Sequence, residues 1–196
     1  MKNEINRIAD RLVKAFNTNT VINPIPVKYC KNINLANKLR KLCEDQIKDE
    51  NGRIGKARAI NSDLTFFTEQ FIMPVKGIIS GVYGSQRILN GKPKWPHYGI
   101  DIAAKQGTKI KSSGTGIVTM AEDDLYYTGG TVIMDHGHGI STIYSHLENV
   151  MVKVGDQVKQ GEIIGTVGST GRSTGPHLDF RINWFQTRLD PMSILQ

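Results

Sequence analysis

From Met73 onward, glycine recurs at short intervals between runs of β-branched and aromatic residues, and this punctuation constrains the fold more than any other feature. Short apolar or alternating runs bounded by Gly, Asn, Asp and Pro read as strands closed by tight turns. Nine such runs follow one another, at 78–82, 100–103, 108–111, 116–121, 131–135, 140–145, 150–154, 163–167 and 177–184. No helical period separates them, so each strand pairs with its neighbours, and the expected class is mainly β, an antiparallel sheet or sandwich. Residues 91–95 and 124–130 read as loops at the mouth of a groove, the second offering Tyr126 and Tyr127 as walls for a bound substrate.

Before Met73 the pattern is helical. Ile5, Ile8, Leu12, Val13 and Phe16 have the spacing of a short amphipathic helix over 3–16, and 17–26, with two prolines, breaks it. A longer pattern over 32–60 runs through Ile33, Leu39, Leu42, Cys43, Ile47, Ile54 and Ala57. It predicts one helix, kinked near Asn51-Gly52, lying against the later domain. The chain is therefore expected to divide into a helical N-terminal arm, 1–72, and a β domain, 73–196.

Residues 1–72 carry 13 Lys/Arg against 8 Asp/Glu, and residues 73–196 carry 12 against 10, so the basic excess sits mostly in the arm. The overall +7 charge favours anionic partners without choosing among them, and no nucleic-acid motif is present. No stretch approaches the ~20 apolar residues of a membrane span, and nothing near Met1 has the apolar core of an export signal. Cys30 and Cys43 form no Cys-x-x-Cys pair, which leaves a single disulfide or two free thiols open. Oligomeric state is not fixed by any of these features.

The chemistry concentrates in three stretches. In His177-Leu-Asp179-Phe180, strand alternation puts His177 and Asp179 on one face and turns Leu178 and Phe180 to the core. His97 and Asp101 stand four apart, on one face of an extended segment, and His146 lies in a third run beside Ile143 and Leu147. Three histidines and two carboxylates suit one divalent cation and a base; the plainer alternative pairs Asp179 with Arg181 on its own face. His136 and His138 also have ligand spacing, but Gly137 and Gly139 make that stretch a hairpin turn and a weak candidate. The Gly168–Gly175 loop lacks Gly-Lys-Ser/Thr and opens a strand, which excludes a nucleotide phosphate loop.

The order His97-x-x-x-Asp101, Tyr144-x-His146-Leu, Gly175-Pro-His177-x-Asp179 resembles the lysostaphin/LytM type of zinc metallopeptidase, with framing stretches at 84–87, 101–108, 136–139 and 154–161. The likeness covers roughly Pro74 to Pro191. It implies a zinc-dependent endopeptidase that hydrolyses peptide cross-links of bacterial peptidoglycan, with one Zn²⁺ per chain or Mn²⁺ in its place. It further implies a place in the cell envelope, periplasm or exterior. By the same resemblance His97, Asp101 and Asp179 are the metal ligands, and His146 and His177 handle the proton of the attacking water and the charge on the scissile carbonyl.

The chain departs from the family at Asp179, where the third ligand is usually His. A carboxylate oxygen binds zinc at about 2.0–2.2 Å, so Asp is a legal ligand. One His and two Asp nevertheless leave the centre formally neutral, where two His and one Asp leave one net positive charge. A slower enzyme or a more alkaline optimum is the expectation. The alternative is a degenerate relative that binds cell wall or regulates a partner wall hydrolase. A carrier-like hairpin at 154–165 lacks the exposed tip lysine that a lipoyl or biotin carrier needs.

Overall fold

The computed structural model describes residues 33–89 and 91–196. They belong to two units, the first ending at Asn51 and the second running from Gly52 to Gln196. Helix α1 spans Ile33–Arg58 and includes Asn51-Gly52. The helix expected over 3–16 and the thiol of Cys30 lie outside the described residues. Cys43 carries a free thiol.

The rest is mainly antiparallel β, as its alternation and glycine spacing require. Twelve strands are described: β1 Ile78–Gly81, β2 Ile88–Leu89, β3 Lys92–Pro93, β4 Ile100–Ala103, β5 Lys109–Lys111, β6 Gly116–Leu125, β7 Gly129–Gly137, β8 Ile140–Val150, β9 Gln157–Val158, β10 Ile163–Val167, β11 His177–Trp184 and β12 Thr187–Leu189. The main sheet runs β1-β4-β11-β8-β7-β6-β9, with β10 bridging β5 and β8, and β12 flanking β11.

Three sequence expectations change. The loop expected over 124–130 shrinks to a turn at Tyr126–Thr128, because β6 extends to Leu125 and pairs with Gly129. The strand expected over 150–154 contributes only Val150. Beyond it Gly155 turns left-handed (φ 92°) and the Asp156 carboxylate accepts from the Lys153 N–H, closing a turn where a ladder would run. In the loop expected over 91–95, Lys92–Pro93 pairs with Ile88–Leu89 as a separate two-stranded hairpin.

The central strands are buried on both faces, which explains why β7 is buried along its whole length. One face, with Ile100, Ile102, Val132, Met134, Tyr144, Leu178 and Phe180, forms the main core. The other carries Met120, Ile133 and Ile143, which pack with Ala57 and Ile54 from the last turns of α1. Val118 and Met120 share parity yet enter different cores, because the β6–β7 register slips between them, as a bulge does. The C-terminal end of α1 is fixed further by an Arg53–Glu122 ion pair and by Arg58 Nη2, which donates to the Phe185 carbonyl at 3.3 Å. No helix among the described residues is long and apolar enough to cross a membrane.

Candidate metal centre

Three adjacent strands bring the sequence-separated groups together. In the β4–β11 ladder Asp101 stands directly opposite Asp179, and His177 opposite Ala103; in the β11–β8 ladder Asp179 stands opposite Ser145. Residues directly opposite in an antiparallel pair have Cβ atoms about 4.5–5.5 Å apart, so the two carboxylates are obliged to meet. His97 arrives from the loop before β4. Its N–H donates to Ser85 O at 2.9 Å and its carbonyl accepts from Gly84 N at 2.8 Å, which pins the ring over the sheet.

His97, Asp101 and Asp179 form one cluster whose ligand atoms all lie within 4.8 Å of one another. His97 Nε2 and Asp101 Oδ1 are 3.0 Å apart, yet their approach is not aligned for a hydrogen bond, and both atoms are buried without a partner. Two orphaned buried polar atoms facing each other are costly unless a third party satisfies both. A nitrogen and two carboxylates form a donor set that Zn²⁺ accepts, so these residues fit a divalent cation. Arg87 Nη2 donates to His97 Nδ1 at 2.6 Å and lies 3.4 Å from Asp101 Oδ2.

Asp179 is buried and gripped by one neighbour: Arg181 Nε donates to Oδ1 at 2.8 Å and Nη2 to Oδ2 at 2.5 Å. Burial alone would raise the carboxyl pKa. The Arg181 charge and its hydrogen bonds, with His97 and His146 nearby, outweigh burial and hold the group well below the usual carboxylate range. Each carboxylate oxygen has two lone pairs, so this grip leaves acceptor capacity for a cation.

The remaining two histidines form a pair with ring centroids 4.7 Å apart. His146 Nδ1 donates to Thr170 O at 2.8 Å, and His177 Nδ1 donates to Gly175 O at 2.8 Å. Carbonyls only accept, so in its neutral form each ring carries the proton on Nδ1 and leaves Nε2 as a bare acceptor. His177 Nε2 lies 3.8 Å from Asp101 Oδ1. Burial is the main cause that lowers the His146 pKa to about 4, which keeps this ring neutral at ordinary pH.

His146 also departs from regular strand geometry, with φ 67°. The β11 ladder stops at Ser145, β7 resumes at Leu147, and the His146 N–H goes to the Thr128 carbonyl at 2.7 Å. A non-glycine residue in this region is uncommon and concentrates at functional sites. Simple alternation gave no sign of that kink, nor of the Thr170 and Gly175 carbonyls that fix the tautomers. Arg87 lay inside a framing stretch but had no assigned part.

The other two histidines have structural partners. His136 is bonded on both nitrogens, to Thr115 O and Thr142 Oγ1. His138 and Gly139, at φ 50° and 78°, form the two-residue β7–β8 turn, with the His138 ring against Phe67.

The profile of Peptidase family M23 matches residues 95–191, the stretch that contains all five clustered groups. The catalytic domain of lysostaphin from Staphylococcus simulans is 36% identical in sequence and superposes with a TM-score of 0.53, over 60% of this chain and 90% of that domain. The chain belongs to peptidase family M23.

Other M23 relatives agree. The peptidoglycan DD-endopeptidase ShyA of Vibrio cholerae is 42% identical over 87 residues, 44% of this chain and 20% of ShyA. A zinc containing peptidase from Vibrio cholerae is 32% identical, with a TM-score of 0.59 over 63% of this chain and 40% of that one. The chain spans about a fifth of the length of the curated relatives it matches first. The family match at residues 95–191 lies within the second unit.

Proposed function

We propose that the chain is a zinc-dependent endopeptidase that hydrolyses peptide cross-links of bacterial peptidoglycan in the cell envelope. The carrying observation is the pair of buried, partnerless atoms, His97 Nε2 and Asp101 Oδ1, beside Asp179 and two histidines of fixed tautomer. The name of ShyA, a peptidoglycan DD-endopeptidase, supports the substrate class.

On this reading His97, Asp101 and Asp179 hold the cation, which supplies Lewis acidity to activate water and polarise the scissile carbonyl. The substrate amide lies beside the His146–His177 pair. His177, the nearer to Asp101, takes the proton of the attacking water on Nε2 and returns it to the leaving amine. Its Nδ1–H stays on the Gly175 carbonyl throughout, so the ring keeps its orientation. His146 remains neutral and orients the water through its bare Nε2.

A second reading is a degenerate domain that binds cell wall or a partner hydrolase without cutting. The bidentate grip of Arg181 on Asp179 favours it, since each Asp179 oxygen has one lone pair fewer to offer a cation. Metal content by elemental analysis, together with release of soluble fragments from purified sacculi, separates the two. About one zinc per chain, with release abolished in His177→Ala and Asp179→Ala, is the expected result. Sacculus binding with neither metal nor release would leave the second reading.

A further inference from the structure

Asp179 and Arg181 are two residues apart on one strand, so their side chains share a face. The guanidinium meets the carboxylate through two parallel hydrogen bonds, at 2.8 and 2.5 Å, the geometry that most restricts a carboxylate's rotation. Asp179 is 2% exposed and the Arg181 side chain 24%, so the pair is largely removed from solvent screening. The fold makes room for it. A Cβ at Gly99 would stand 2.6 Å from both Arg181 Cγ and the Phe180 carbonyl oxygen and 3.1 Å from Asp179 Oδ1, so glycine at 99 lets β11 and the pair on it pack close.

The charges add simply. Beside a divalent cation, Asp101 and Asp179 alone give a neutral centre, whereas inclusion of Arg181 restores one net positive charge. A single neutral histidine in place of the pair would give the same sum. We propose that Asp179 and Arg181 act as one unit, in which Arg181 is a positioning residue that orients the Asp179 carboxylate toward the cation and cancels its charge. The slower, more alkaline enzyme expected from the carboxylate alone does not follow once Arg181 is counted. The inference rests on the zinc reading of the site.

It follows that histidine, itself a good zinc ligand, cannot replace Asp179 by itself. In Asp179→His the guanidinium is left without its carboxylate and faces the cation. The test is zinc affinity by competition with a chromophoric chelator, on the full chain, for wild type, Asp179→His, Asp179→His/Arg181→Gln and Arg181→Lys. Melting of each in a chelator reports whether it folds. Asp179→His should bind zinc about tenfold or more weakly, the size usual for a disturbed outer partner, and the double variant should recover to within about threefold of wild type. Arg181→Lys, which keeps the charge but loses the two-pronged grip, should fall between, and it carries the test if Asp179→His does not fold.

Wild-type affinity in Asp179→His, a double variant no better than the single, or wild-type affinity in Arg181→Lys would overturn the pairing while leaving the metal site intact. Absence of stoichiometric zinc from the wild type would overturn both the pairing and the peptidase reading.

Discussion

At the scale of single residues the cluster depends on small neighbours as much as on its own donor groups. Gly81 lies opposite Asp101 in the β1–β4 ladder, and a Cβ there would come 2.5 Å from Asp101 Oδ2 and 3.0 Å from its Cγ. To admit that methyl the Asp101 carboxylate has to turn, and it is the group that faces His97 at 3.0 Å. Gly81→Ala should therefore weaken zinc binding by about tenfold, with Tm changed by no more than a few degrees. Equal zinc affinity in chelator competition would show that Asp101 is free to move. The spacing His97-x-x-x-Asp101 and the alternation of His177 with Asp179 made the cluster legible in the sequence. Whether Asp179 meets a cation or Arg181 was left open by spacing, because both lie on its face, and the fold shows the guanidinium holding both oxygens.

At the scale of elements the β6–β7–β8 meander does most to fix the geometry. Its β7–β8 turn places His138 and Gly139 both at positive φ, the condition for a tight two-residue connection that matches strand twist. Gly137, at the end of β7, has φ 96°, and a Cβ there would stand 1.7 Å from the Leu64 carbonyl oxygen, a backbone atom that cannot step aside. Gly137→Ala should cost about 2 kcal/mol or more. For a chain of this size that lowers Tm by roughly 4–8 °C. Zinc content should be unchanged, and a thermal melt beside a metal assay checks both. The turn was readable from its glycines. The slip in β6 between Val118 and Met120 was not, because a bulge is decided by what the partner strand presents.

At the scale of the molecule, pH acts on stability through His136, which is fully buried, packed edge-on against Phe71 and bonded on both nitrogens. Burial lowers its pKa from 6.5, only partly offset by the Thr115 carbonyl, Asp135 and Glu69. The folded state therefore binds the proton less readily than the unfolded state does. Its stabilising contribution is present above pH 6.5 and is lost as pH falls below that value toward the folded pKa. In a chelator, to remove metal linkage, Tm should drop between pH 7.5 and 5.5, and the drop should be smaller in His136→Gln. Parallel curves for the two proteins would contradict this.

What the sequence determined by itself was periodic: glycine spacing and residue alternation gave a mainly antiparallel β domain, and the same alternation gave the shared face of His177 and Asp179. Those properties are local, since a strand fixes side-chain direction every two residues whatever it packs against. What only the tertiary structure decided was relational. Asp101 faces Asp179 because β4 and β11 pair in one register, and a slip of one residue would send the carboxylates to opposite faces. The tautomers of His146 and His177 depend on the carbonyls of Thr170 and Gly175, each belonging to a loop whose path the whole sheet sets. Both ladders on β11 had to form before His97, Asp101, Asp179 and the two bare Nε2 atoms could share one site.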